Sequence, residues 1–401
     1  MPGTIARWVS RRMRSSGTSG RAVLLGDRDL AATLYAAGVP VTVVCRRSNA
    51  LRLSRYTDDW LADPDSGEDA LVQTLLEYAA RSAQPLVLYH QTDDALLFTS
   101  RRRKELAAGG IRFVVAEADL VEQLVNKASF QDLARRLDLP TPPTHVVRVT
   151  TGDTDPMPMD PPFLVKPLRR DGSWEANNAG KAVLIQNRQE FNDLMTRLRT
   201  THSDVLVQGY VSGPESCIES YHVYVSSTGL IVGEFTGRKI RTYPISYGYS
   251  TALIITKAED VAAQGRKIVT KLGLRGVAKL DFKRDPTGKL WLLEVNPRFN
   301  LWHRLGADAG INIPALVFQD LTEQHRPDTC SAQEGATYCR GIEDWRAARQ
   351  EGVGLLTWLR FVTGSETRSG LDPRDPLALL MGTVLPPPLE KLRQAVLARI
   401  G

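Results

Sequence analysis

Apolar residues along this 401-residue chain come in short runs broken by glycine, proline and charge. Ala22-Val23-Leu24-Leu25 reads as a buried strand closed by Gly26-Asp27. A helix over residues 30–37 follows, Gly38 ends it, and residues 39–44 make a second strand. The same rhythm predicts an amphipathic helix near 70–80, a strand at 85–89, a helix over 92–108 and a strand at 111–115. Such alternation predicts a doubly wound parallel sheet. A helix over 120–137 comes next. Then the prolines of Leu139-Pro140-Thr141-Pro142-Pro143-Thr144 hold their predecessors extended and make a rigid link. From 163 to about 321 the pattern changes to strand pairs carrying glycine and basic residues, as in an α+β unit. Beyond 321 the pattern is polar, with an amphipathic helix near 354–362 and a proline-rich stretch ending in 389–400.

These shifts divide the chain into a flexible basic N-terminus (1–20), a Rossmann-like domain (21–118), an α+β domain (119–325) and a C-terminal extension (326–401). The opening Gly26-Asp27-Arg28-Asp29 is not GxGxxG, so the first domain reads as a scaffold or substrate domain and not a dinucleotide site.

Composition adds little to this. The apolar fraction is 42% and the net charge +6, as in an ordinary globular protein with a basic bias. Much of that bias sits in the first twenty-one residues and in Arg101-Arg102-Arg103-Lys104. Without an accompanying motif it is solvated charge and not a nucleic-acid surface, with peripheral contact to an anionic membrane as a secondary expectation. No apolar run is long enough for a spanning helix, and the start lacks a secretory signal. Cys45, Cys217, Cys330 and Cys339 are scattered, and no histidine has metal-ligand spacing. The expected location is the cytoplasm, with membrane association as its variant.

The chemistry concentrates in Gly276-Val277-Ala278-Lys279-Leu280-Asp281-Phe282 and Lys289-Leu290-Trp291-Leu292-Leu293-Glu294-Val295-Asn296-Pro297-Arg298. The turn between them predicts a hairpin, and the two-residue period puts Glu294 and Asn296 on one face, with Asp281 able to join them. Two carboxylates and an amide oxygen are hard donors, suited to magnesium or manganese carrying nucleotide phosphates. Arg298, two residues on, offers a forked donor for a phosphate or acyl phosphate.

Glu-x-Asn-x-Arg after a strand, with an acid on the preceding strand, resembles the ATP-grasp superfamily. The pattern is closest to the carboxylate–amine ligases that include D-aspartate ligase. The resemblance covers roughly residues 22–321 and implies a Rossmann-like domain ahead of an ATP-grasp fold. It implies that Lys127, in Leu-Val-Asn-Lys, and Lys166, in Phe-Leu-Val-Lys-Pro, hold ATP phosphates; either lysine alone would pass for a surface residue. It implies that Gln208, Gly209, Tyr210 and Val211 receive adenine and that Glu215 lies near ribose or phosphate. Gln208 also fits a satisfied strand-end polar group. The segment 168–181 sits where the family has its phosphate-covering loop, though a plain surface loop fits nearly as well. Arg238 and Lys239 sit in a basic strand that would face the transferred phosphate or else be a solvated edge; alternation puts Arg238 with Ile240 and Lys239 with Arg241.

The reaction implied is ATP- and magnesium-dependent amide formation between a small-molecule carboxylate and an amine, with a cell-wall or polysaccharide precursor among the candidate acceptors. A bicarbonate-using carboxylase or carbamoyl-type enzyme, and a nucleotide-binding protein without turnover, are the alternatives. The substrates and the oligomeric state are not encoded in any motif.

Overall fold

The computed structural model describes residues 20–63, 66–149, 157–168, 174, 181–199, 204–324, 331–370 and 372–376. The chain forms two compact units: Met1–Phe113 with Pro314–Arg326 and Asp372–Gly401, and Val114–Ile313 with Pro327–Leu371.

In the first unit β1 (Arg21–Leu25), β2 (Val41–Cys45), β3 (Asp59–Ala62), β4 (Leu86–His90) and β5 (Ile111–Arg112) form a sheet in the order β3-β2-β1-β4-β5. Every pair is parallel. The apolar runs are the central strands, because a strand covered on both faces is apolar throughout. β3 was not expected: Asp-Trp-Leu-Ala is short and half-polar, as an edge strand is. The expected helix over 92–108 is two helices, Asp93–Arg101 and Arg103–Ala108, and the strand expected at 111–115 keeps only its first two residues.

The second unit opens with helices Ala118–Val125 and Lys127–Arg136, where one helix over 120–137 was expected. Asn126 makes the break. Its extended backbone ends the first helix, and its side chain caps the second by accepting from the Ala128 and Ser129 amides.

Next come β6 (Thr144–Val147), β7 (Phe163–Pro167), β8 (Val183–Ile185) and β9 (Val205–Gly209), paired antiparallel in the order β6-β9-β7-β8. Phe191, Leu194, Met195 and Leu198 follow helical spacing on helix Arg188–Arg199 and cover one face. Most of segment 168–181 lies outside the described residues. Trp174, which is described, belongs to that same core.

The larger sheet contains β10 (Ile218–Val225), β11 (Ile231–Tyr243), β12 (Tyr249–Thr256), β13 (Gly276–Arg284), β14 (Leu290–Asn296), β15 (Thr337–Arg340) and β16 (Thr367–Ser369), in the order β14-β13-β10-β11-β12-β15-β16. One face is covered by helix Glu259–Lys271, whose Gly265 meets the buried Tyr221 ring. Residues 337–340 and 367–369, expected in a C-terminal extension, extend this sheet. Helix Gly341–Gln350 is anchored to it by the fully buried Asp344, which accepts two bonds from Arg241 (2.9 and 2.6 Å), one from Thr251 (2.9 Å) and one from Trp358 (3.1 Å). The amphipathic helix is Leu355–Gly364. The expectations for 1–20 and 389–400 lie outside the described residues, Gly20 excepted.

Among the described residues no helix is long and apolar enough to cross a membrane. Cys45, Cys217 and Cys339 are unbridged.

Candidate active site

Pairing across β11, β10, β13 and β14 aligns side chains in rungs on one face of the large sheet. One rung holds Gly237, Ser220, Asp281 and Glu294; the next holds Phe235, His222, Lys279 and Asn296. On the other side of Asp281 lies Lys283, opposite Ile218. Gly237 is required in its rung because a Cβ there would meet the Trp302 ring and come within 2.9 Å of the Ile254 carbonyl.

Asp281 and Glu294 therefore face each other directly, and Asn296 donates to Glu294 at 3.0 Å. A bulge on β14 follows Asp281, with Leu293 as the extra residue, and re-aims the acidic strand end. Asp281 is buried and accepts from Ser220, while the Lys279 ammonium lies 2.6 Å from its other oxygen. The charge of Lys279, the hydrogen bond from Asn296 and the charge of Lys181 hold the Glu294 carboxyl well below the usual carboxylate range. Glu294 is thus ionised at neutral pH, and a cation already stands beside its partner. The set of two carboxylates and an amide oxygen suits a hard divalent ion.

Near the smaller sheet, the Asn126 cap puts Lys127 at the first position of its helix, from which its ammonium donates to the Pro167 carbonyl. Lys166 donates to the Gln208 side chain at 2.7 Å, and Gln208 donates to Thr144 at 3.3 Å. The two lysines are therefore both held at the β7–β9 strand ends. In the hinge at the end of β9, the Gly209 and Tyr210 amides donate to the Pro143 and Pro162 carbonyls (2.8 and 3.4 Å), and Val211 is the next residue along. Glu215 opens a short 3-10 turn, Glu215–Cys217. The Tyr210 ring lies 5.3 Å from the Lys283 ammonium, so the hinge and the acidic face meet at β13.

The basic strand divides. Lys239 shares the face of Gly237, and thus of Asp281, whereas Arg238 sits on the opposite face across from Glu219. Arg238 is accordingly not brought to the acidic set. Register shifts after Lys239 and Arg241 break the expected alternation, and Arg241 is drawn to Asp344. Arg298 follows the acidic strand end with its guanidinium 3.5 Å from the Asn296 oxygen.

Sequence reasoning missed Lys279, Ser220 and Lys181. Lys279 carried the same signal as Asn296, a two-residue offset from an acid on a strand. Ser220 had no signal, because only the register of β10 against β13 brings it to Asp281. Lys181, at the end of the expected phosphate-covering loop, has its ammonium 3.9 Å from the Tyr249 ring centroid.

Residues 202–341 match the family model described as ATP-grasp in the biosynthetic pathway with Ter operon. Among sequences, the chain is 26% identical over 212 residues to D-aspartate ligase of Enterococcus faecium (strain Aus0004), covering 50% of each chain. The chain spans about half the length of the relatives that it matches by sequence. Among solved structures, it is similar to N5-carboxyaminoimidazole synthetase from Staphylococcus aureus complexed with ADP (TM-score 0.59, 15% identity, 80% and 81% of the two chains). It is also similar to L-amino acid ligase from Bacillus licheniformis (TM-score 0.58, 16% identity, 78% and 76%). These structural likenesses establish the ATP-grasp fold.

Proposed function

We propose that the chain is an ATP-dependent carboxylate–amine ligase that makes an amide through an acyl phosphate. The observation that carries this reading is the in-register pair Asp281–Glu294, with Asn296 and Arg298 following on the same strand end. The likeness to D-aspartate ligase supports an amino acid as one substrate. The proposal includes a cytoplasmic location and assigns residues 21–118 and 119–325 to the Rossmann-like and ATP-grasp domains.

Asp281, Glu294 and Asn296 would hold magnesium or manganese, which when bound neutralises charge on the phosphoryl group. Lys127 and Lys166 bind ATP phosphates as point charges, the hinge from Gln208 to Val211 receives the adenine edge, and Glu215 lies toward the ribose. A carboxylate oxygen of the substrate forms a bond to the γ-phosphorus as the bond to ADP breaks. Lys239 and Arg298 balance the charge that develops. The amine nitrogen then attacks the acyl carbon, phosphate departs with the C–O bonding electrons, and the nitrogen releases a proton.

Phosphate release from ATP, measured against a panel of carboxylates (bicarbonate included) crossed with D- and L-amino acids, tests the reading. Release should require a specific acid–amine pair, and Glu294→Gln should lower it about 10²–10³-fold. ATP turnover in Glu294→Gln equal to that of the unaltered chain would remove the metal assignment. Release with bicarbonate alone would make the enzyme a carboxylase.

A further inference from the structure

The proposed chemistry leaves Lys283 unused. It lies on β13 two residues beyond Asp281 and on the same face, about 7 Å further along the strand. Its side chain is 6% exposed. Among the described residues its ammonium makes no hydrogen bond or ion pair, and the Tyr210 ring is the only aromatic face it meets. Lys279, on the other side of Asp281, differs in being paired at 2.6 Å. Across the neighbouring strands Lys283 faces Ile218 and Trp291, so its cross-strand surroundings are apolar. Burial pushes its pKa down, Glu215 and Cys217 nearby push it back up, and Lys239 adds to the fall.

An ammonium on a residue so little exposed, with no acceptor among the described residues and only the edge of solvent to satisfy it, is costly. A methionine of similar shape would serve the empty fold better. A ligand that brings acceptors would offset that cost. A nucleotide whose phosphates are held at Asp281 and whose base edge sits at the hinge must run its nucleoside between the two. Lys283 lies in that interval, with Asp281 on one side and Tyr210 on the other.

We propose that Lys283 is a specificity-determining residue that donates a hydrogen bond to an acceptor on the nucleoside of ATP. This rests on the nucleotide reading given above.

The test measures binding of magnesium–ADP and of magnesium tripolyphosphate, which lacks a nucleoside, to the full chain and to Lys283→Met, together with the thermal midpoint of each ligand-free protein. Lys283→Met should bind magnesium–ADP about tenfold or more weakly, bind tripolyphosphate as the unaltered chain does, and melt higher when ligand-free. A ratio that collapses with 2′-deoxy-ADP locates the acceptor at the 2′-hydroxyl; a ratio that persists locates it on the base or on the remaining ribose oxygens. Unchanged ADP affinity, a parallel loss of tripolyphosphate binding, or a lower melting point overturns the inference. If the unaltered chain binds neither ligand, the nucleotide reading falls with it.

Discussion

The His222 and His303 imidazoles are fully buried beside Lys279, with ring centroids 6.0 Å apart. His222 stacks on Phe235 at 4.4 Å, and His303 accepts from the Asn300 amide at 3.2 Å. Burial, reinforced by the Lys279 charge, holds His303 down to about 3, and burial, His303 and Lys279 hold His222 well below its ordinary value. Both are therefore neutral when folded, while in the unfolded chain they take up protons below about pH 6.5. The unfolded state then binds more protons, so stability falls as pH drops from 6.5 toward 3. Between pH 7.5 and 5.5 the pair should cost about 3 kcal/mol, about 1.4 kcal/mol per group over that interval. Urea unfolding at both pH values reads this directly, and His222→Phe should remove about half of the loss. A pH response unchanged in that variant would show that His222 takes up its proton in the folded state. None of this was legible in the sequence, where six scattered histidines gave no pattern. Their environment comes from the pairing of His222 with Phe235 and Lys279, and from the neighbouring helix Trp302–Asp308.

Among whole elements, strands covered on both faces could be read from their apolar runs, and helices with one apolar stripe from their spacing. β3, β15 and β16 escaped because short edge strands carry little pattern of their own, and the break at Asn126 because a cap inside an apolar period resembles an ordinary polar position. The anchoring of helix Gly341–Gln350 is likewise non-local, since Arg241 and Asp344 are 103 residues apart. Asp344→Ala would leave the Arg241 guanidinium buried without its counter-charge, at a cost of about 3–5 kcal/mol in urea unfolding. Replacing both residues with leucine or methionine should restore much of that. An Asp344→Ala variant as stable as the parent would show that the pair does not anchor the helix. Gly265→Ala tests the opposite side of the sheet: the added methyl meets the buried Tyr221 ring and should cost about 1–3 kcal/mol.

For the molecule as a whole, the acidic strand end was legible because Glu294 and Asn296 obey a two-residue period and Asp281 sits on the partner strand. The choice between Arg238 and Lys239 was not, because it depends on which of them shares a rung face with Ser220, and register against β10 is not written in β11 alone. The same dependence hid Ser220. In the proposed reaction this face activates a carboxylate by phosphoryl transfer. The most direct measurement uses a carboxylate substrate labelled with ¹⁸O in both oxygens, turned over with ATP and its amine, followed by mass analysis of the released phosphate. Transfer through an acyl phosphate predicts one ¹⁸O in each phosphate released. Phosphate free of label, with amide formed in equal amount, would rule out the acyl phosphate.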